Sequence, residues 1–292
     1  MEQLSACPIC KNTSFSNFLV CKDHTATQES FEIVRCGSCD FVFTNPRPSQ
    51  DEIARYYQVE NYISHTGTQS GIINKLYHFA RKFTLKQKLK LVNKLTPKGK
   101  LLDIGCGTGN FLQVVKNDGW EVSGVEPDLS ARKLAIEICG KEIYGEEYLN
   151  NNQQAQFDVI SMWHVLEHVH GLNQRLVQLK NLLKPSGRLI VAVPNCASFD
   201  AAHYKQYWGA YDVPRHLYHF KPADIKKLFE QNLFEVENIL PMKLDAFYVS
   251  MLSEKYKGGN MLSGVWQGLR SNMQAARKKG THSSQIYIIK HK

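Results

Sequence analysis

Lys100-Leu-Leu-Asp-Ile-Gly-Cys-Gly-Thr-Gly-Asn-Phe-Leu112 decides how the rest of the chain is to be read. A short apolar run (Leu101, Leu102, Ile104) ends in glycines at alternate positions, Gly105, Gly107 and Gly109. It then passes into a helical pattern through Phe111, Leu112, Val114 and Val115. That order predicts a buried strand, a tight turn and a helix. Glycine admits positive φ and lets a ligand approach the backbone without meeting a Cβ, and the free N–H groups of the next helical turn face the same space. The stretch is a place for a polar ligand.

The third glycine narrows the ligand. The dinucleotide fingerprint G-x-G-x-x-G would put its last glycine at position 110, which is Asn110, so the spacing argues against NAD or FAD. Asp103, two residues before the first glycine, places a carboxylate at the strand end, where it repels a pyrophosphate but suits a cation. The next strand ends in Glu126, close to the offset of about 20 residues expected of an acid that holds ribose hydroxyls. A glycine turn that only links a strand to a helix is the plain alternative, and the spacing of Glu126 weighs against it.

In Asp103, the glycine loop and Glu126 the chain resembles the class I S-adenosylmethionine (SAM)-dependent methyltransferases. The resemblance runs from about Lys98 to the C-terminus. It implies a Rossmann-like α/β sheet of seven strands with the last antiparallel. It also implies a SAM site made by Asp103, Gly105, Cys106, Gly107, Gly109, Glu126, Pro127 and the strand end Trp163-His164.

Composition fits that expectation. At 292 residues and 43% hydrophobic, the chain can bury a full α/β core and carry a small accessory module. No run reaches the ~18 apolar residues of a membrane span, and Met1-Glu-Gln-Leu-Ser-Ala-Cys-Pro-Ile-Cys10 has no basic-then-apolar signal pattern, so a cytoplasmic location is expected. Of eight cysteines, Cys7-Pro-Ile-Cys10 and Cys36-Gly-Ser-Cys39 form two knuckles at the spacing of a tetrahedral structural zinc site, with Phe41-Val-Phe43 able to pack beneath. Cys21 and His24 read as bystanders. Residues 1–45 hold Glu2, Asp23, Glu29, Glu32 and Asp40 against Lys11, Lys22 and Arg35, the wrong sign for neutralising phosphates. A nucleic-acid partner is therefore not expected, and residues 1–48 read as a zinc ribbon and linker that shape the substrate end.

The net charge of +9 is unevenly spread. No acidic residue falls between Asn61 and Leu102, where nine lysines and arginines stand, and the last fifty residues carry nine more against Asp245 and Glu254. Ser49-Gln-Asp-Glu52 opens a helix through Ile53, Tyr56 and Tyr57 with a capping box. A second helix follows over 72–95, with apolar positions at 72, 76, 79, 83, 89, 92 and 95. In this region, 49–97, the lysines read as a solvated face in preference to one meeting a membrane surface or an anionic substrate.

Residues 98–292 then alternate regularly. Strands are expected near 121–126, 142–145, 157–163, 187–194, 234–240 and 284–290, with helices near 110–118, 130–139, 172–183 and 223–232 and a helical insertion, a candidate lid, at 244–279. Trp163-His-Val-Leu-Glu-His168 follows the 157–163 strand. Its Glu-His pair resembles the quinone-pathway O-methyltransferases, some of which hold a divalent metal there. His164, Glu167 and His168 lie at i, i+3 and i+4, one face of a helix, so the sequence allows either a three-ligand site or side chains that only line the pocket. Trp208 to Phe220 crowds aromatic, histidine and charged residues into a stretch without periodicity and is the leading substrate contact. This stretch and the ribbon resemble the deoxysugar C-methyltransferases, but the Tyr and Glu of their Y-H-E-H-L are Val213 and Arg215 here, while His216 is retained.

The expected function is SAM-dependent methyl transfer, in particular O-methylation, to a small-molecule, glycan or lipid-like acceptor. His216 is the first candidate base and His168 the second, and Arg215 is expected to keep His216 unprotonated if the two point the same way. A non-catalytic zinc-ribbon adaptor built on a SAM-binding fold is the alternative.

Overall fold

The apolar run before the glycines becomes the middle of a sheet because both of its faces are covered. In a computed structural model that describes residues 1–57, 72–151, 154–278 and 280–292, with backbone alone for 72–80, four of the five residues of that strand are buried. An N-terminal unit comes first, with β1 (Phe15–Lys22), β2 (Ser30–Cys36) and β3 (Val42–Thr44). Helix α1 (Ile72–Leu95) leads to β4 (Lys100–Ile104), α2 (Asn110–Asn117), β5 (Glu121–Val125), α3 (Leu129–Cys139), β6 (Ile143–Tyr144) and α4 (Glu147–Asn151). Then come β7 (Phe157–Trp163), α5 (Leu172–Leu182), β8 (Leu183–Pro194), α6 (Phe199–Tyr204), β9 (Tyr218–His219) and α7 (Pro222–Glu230). The chain closes with β10 (Phe234–Pro241), α8 (Asp245–Lys257), α9 (Met261–Arg277) and β11 (Ser284–His291).

The large sheet has the order β10-β11-β8-β7-β4-β5-β6. Its strands β8, β7, β4, β5 and β6 pair in parallel, and β11 runs antiparallel to both β8 and β10, the seven-strand pattern with a reversed last strand that the sequence led us to expect. Crossover helices put apolar stripes on both faces, such as Leu172, Leu176, Leu179 and Leu182 of α5. Strand order reverses between β7 and β4, and the carboxyl ends of those two strands open the crevice where ligands sit in such sheets.

The expected helix from Ser49 is replaced, within the described residues, by one 3₁₀ turn over Ile53–Tyr56. The capping contact exists, since Glu52 Oε2 accepts from Ser49 N at 3.1 Å and Ser49 Oγ at 3.0 Å. Of the apolar positions assigned to the second helix, the side chains at 72, 76 and 79 lie outside the described ones, Val92 is buried, and Phe83 is exposed.

The N-terminal unit does not stand apart. Strand β9, from the far side of the chain, pairs with β3 to complete a four-stranded sheet β1-β2-β3-β9. Cys7, Ile9, Cys36, Phe41 and Phe43 belong to the same apolar cluster as Phe157, Leu166 and Tyr218. Phe41 stacks on Phe43 at 5.8 Å and on Tyr218 at 6.0 Å, so it packs beneath the cysteines as expected. Cys21 is buried among apolar side chains and His24 stacks on Tyr256 at 4.4 Å, both away from the knuckles.

Candidate active site

The three glycines of the turn have φ of +70°, +55° and +75° at Gly105, Gly107 and Gly109. A Cβ on Gly105 would fall 2.4 Å from Val165 Cγ2, and one on Gly109 would fall 2.7 Å from Cys139 Sγ. At Gly107 a Cβ would meet nothing within 4 Å. Two glycines thus let the turn pack, and the middle one faces open space.

Glu126, at the end of β5, joins the turn directly. Its Oε2 accepts from Gly107 N at 2.7 Å and its Oε1 from Asp128 N at 3.0 Å. Burial raises its pKa against the lowering effect of those two amides. Asp103, at the end of β4, is buried and accepts from the Ser161 hydroxyl at 2.6 Å. Burial lifts its pKa to about 7, with Ser161 and the cation of Lys88 pulling the other way. Cys106 turns its thiol into the core with Leu101 and Val122, which leaves only its backbone for a ligand, and Pro127 is exposed at the mouth.

Lys88 is a residue the sequence reading passed over. Its ammonium lies 4.1 Å from the Trp163 ring centroid, and Trp163 meets Phe111 edge-on at 5.6 Å. Burial lowers its pKa to about 8, although the carboxylates of Asp103 and Asp245 attract it. The sequence held a signal, because Lys88 lies three residues after Leu85 and four before Val92, on the apolar stripe of α1 and not on its solvated face.

The three residues His164, Glu167 and His168 do not share a helical face. His164 takes φ +57°, and Leu166–His168 is a single 3₁₀ turn, so the i, i+4 relation fails. His164 instead bridges Glu167 (Nδ1 to Oε1, 3.3 Å) and Asp245 at the start of α8 (Nε2 to Oδ2, 3.0 Å). Burial alone would lower its pKa, but these two carboxylates outweigh it and raise it to about 10, which favours the imidazolium. Asp245 gives the expected lid region a foothold at the end of the central strands.

His168 meets His216 edge-on at 4.6 Å, which brings both candidate bases together. His168 Nδ1 lies 3.0 Å from the Arg215 carbonyl and 2.9 Å from Tyr57 Oη, and His216 Nδ1 lies 2.9 Å from the Ala210 carbonyl. A carbonyl only accepts, so each Nδ1 carries a proton, and in the neutral ring Nε2 is the acceptor that remains. Burial, then the neighbouring His216, lowers the His168 pKa to about 4. One ligand atom each from Glu167, His168 and His216 lies within 4.8 Å of the others. Glu167 is fully buried, with Oε2 lacking any hydrogen-bond partner among the described residues. Burial raises its carboxyl, but His164 and the two histidines beyond hold it below the ordinary value. The three-donor set is thus Glu167, His168 and His216, with His164 outside it.

Arg215 reaches with Nε, at 3.0 Å, the same Asp212 Oδ2 that lies 4.0 Å from His216 Nε2, so one carboxylate stands next to both side chains. The guanidinium donates to both oxygens of Asp212 (2.6 and 3.0 Å), to Asp23 Oδ1 at 3.1 Å and to the Tyr56 carbonyl at 3.0 Å. A buried arginine thereby ties the N-terminal unit, the 3₁₀ turn at Ile53–Tyr56 and the histidine loop together. In the N-terminal unit, Cys7 and Cys39 Sγ lie 3.7 Å apart and Cys10 and Cys36 Sγ lie 3.4 Å apart. Sulfurs 2.3 Å from a tetrahedral zinc would be about 3.8 Å apart, so the four thiols match that shell.

A family model described as a methyltransferase domain matches residues 76–239, and the chain belongs to that family. It is a SAM-dependent methyltransferase. Among curated relatives, the ubiquinone biosynthesis O-methyltransferase of Glaesserella parasuis serovar 5 is 29% identical over 48% of this chain and 67% of that enzyme. The enzyme of the same name from Rickettsia typhi is 20% identical over 65% of this chain and 82% of its own length. Among solved structures, magnesium protoporphyrin IX methyltransferase from Synechocystis PCC 6803, with bound SAH, aligns over 82% of this chain and 99% of its own at TM-score 0.54 and 16% identity. A SAM-dependent methyltransferase from Archaeoglobus fulgidus covers 73% of this chain and 94% of its own at TM-score 0.51 and 21% identity. At these identities the structures speak to fold alone.

Proposed function

We propose that the protein methylates a hydroxyl oxygen of a small, lipid-like acceptor. The observation that carries this reading is the edge-on pair His168 and His216, 4.6 Å apart, each with Nδ1 tied to a backbone carbonyl so that the neutral ring offers Nε2. SAM would lie over the glycine turn with Gly107 beneath it. Glu126 would hold the ribose hydroxyls, Trp163 and His164 would border the cofactor, and Lys88 would meet the methionyl carboxylate. The acceptor oxygen forms its bond to the methyl carbon in line as the carbon–sulfur bond breaks. The electron pair leaves on sulfur to give S-adenosylhomocysteine, and the acceptor proton passes to His216 Nε2. His168, second in line, orients the loop through its own carbonyl contact. Relatives named as ubiquinone biosynthesis O-methyltransferases support an oxygen acceptor of this kind.

The unpartnered Glu167 oxygen also suits a divalent cation. Glu167, His168 and His216 would hold it in place of the base role, since His216 Nε2 would then be committed to the ion, and when bound it would supply Lewis acidity to an acceptor oxygen. The four N-terminal thiols would hold a structural zinc, closed to substrate. The N-terminal unit then acts as a packing module for the acceptor end, and no nucleic-acid partner follows from its charge.

Two measurements test the reading. Full-length protein given methyl-labelled SAM and a cell extract should place label in a methyl ether of a small apolar product, found by mass spectrometry. Label bound to carbon, or found only in macromolecules, overturns it. Elemental analysis of chelator-free protein should give one zinc per chain, lost in Cys36→Ser, and a value near zero removes the zinc assignment.

A further inference from the structure

Helix α9 is built inside out. The side it presses against α8 carries its smallest residues, Gly264, Gly268, Ser271 and Ala275, all buried. The fit there is tight, since a Cβ on Gly264 would fall 2.5 Å from Met251 Cα and one on Gly268 would fall 2.7 Å from Phe247 Cα. The large apolar residues lie half a turn away. Leu262, Val265, Trp266, Leu269 and Met273 recur at helical spacing and are 82%, 42%, 58%, 41% and 52% exposed. A helix that needed only to pack would carry these residues inward. Among the described residues nothing covers them, and a contiguous face of this size marks an interaction site.

The charge around the face has one sign. Lys255, Lys257, Arg270, Arg277 and Lys278 of the α8–α9 hairpin are exposed. Both of the hairpin's carboxylates turn inward, Asp245 to His164 at 3.0 Å and Glu254 to the Tyr204 hydroxyl at 3.0 Å. A second copy of the chain docking through this face would bring two cationic rims together. An anionic surface would meet apolar residues and cations at once, with the indole of Trp266 suited to the boundary between them.

We propose that the outward face of α9, with its cationic rim, docks on an anionic lipid surface. The hairpin then anchors the enzyme where a lipid-like acceptor is found, because α8 begins at Asp245 beside the end of β7. The proposal extends the acceptor reading above, yet its test uses no acceptor and no SAM, so either can fail alone. Docking is set by apolar insertion and by attraction that salt screens.

The test is cosedimentation of full-length protein with vesicles of phosphatidylcholine alone or with roughly 30% phosphatidylglycerol, the anionic lipid that should attract the rim. Binding is expected on the mixed vesicles only, to weaken at high salt, and to fall at least about tenfold in Leu262→Ser/Leu269→Ser/Met273→Ser. Trp120 and Trp208 are buried and Trp163 lies in the cofactor crevice, so Trp266 reports from the surface. Its emission should shift to the blue and resist acrylamide quenching when mixed vesicles are added. The triple variant keeps Trp266, and its SAM affinity by calorimetry shows that it is folded. Absence of binding to mixed vesicles at low salt, binding the triple variant retains, or a dimer in sedimentation velocity that the triple variant dissolves, each overturns the proposal.

Discussion

The two ends of the crevice are made in opposite ways. The cofactor end is local: Asp103, the glycine turn and Glu126 come from one strand–helix–strand unit, and the contact that joins them, Gly107 N to Glu126 Oε2, spans 19 residues of sequence. The proposed acceptor end is assembled from afar: Arg215 reaches Asp23 across 192 residues, and His168 meets Tyr57 across 111. A local site survives wherever its supersecondary unit folds. An assembled one depends on the fit of three separate segments, and its residues are coupled.

The largest effect should come from the acceptor end. Once an acceptor is identified, His216→Ala should lower turnover by about 10²–10⁴-fold while SAM affinity by calorimetry stays near wild type. Near-normal turnover in that variant would erase the distinction between a chemical and a merely shaping loop. Arg215→Met comes next, because it takes the guanidinium away from the buried carboxylate of Asp23 and the partly buried one of Asp212. A loss of about 3–5 kcal/mol in denaturant unfolding is expected, together with a fall in activity that ordinary surface substitutions do not cause. Unchanged stability would mean that the three segments are held by packing alone.

At the cofactor end the expected effects are smaller and confined to binding. Glu126→Ala should weaken SAM by about 1–3 kcal/mol, the cost of an unpaired buried polar group, and leave unfolding nearly unchanged. The smallest effect is one of pH. The Asp103 carboxyl stands at about 7 in the folded protein against an ordinary value of 3.8, so the folded chain holds a proton that the unfolded chain has lost across that window. Its contribution to stability therefore declines as pH rises from about 4 to 7. Sulfonium binding favours the carboxylate, so SAM affinity should climb up to about tenfold per pH unit below 7 and level off above it. In Asp103→Asn that slope should vanish. A slope that persists in the variant assigns it to another group, with Lys88 the nearest.

The same contrast explains what was legible in the chain. Strand and helix placement followed from periodicity because each element is a local pattern. The glycine turn, Asp103 and Glu126 were readable because their chemistry depends on short spacing. The helical face assigned to His164, Glu167 and His168 was wrong because spacing alone does not fix a helix. His164 adopts positive φ, and the turn that follows is 3₁₀. Nothing in the neighbourhood of His216 revealed that it would meet His168, since that contact depends on how a loop after β8 folds back. Arg215 was half legible: adjacency in sequence placed it beside His216, and both side chains do reach Asp212, but its second carboxylate, Asp23, lies 192 residues away. Lys88 was hidden among eight other cations of its stretch, and only its place on the apolar stripe set it apart.

The two-residue strand β9 also sets a timetable for synthesis. Strand β3 borrows its outer partner from residues 218–219, and Thr44 Oγ1 donates to the His216 carbonyl at 2.9 Å across 172 residues of chain. The ribbon leaves the ribosome first, yet its open edge has no mate until the histidine loop follows. At the usual 5–20 residues per second that delay is about 10–35 s. An unpaired edge invites pairing with the wrong strand until then.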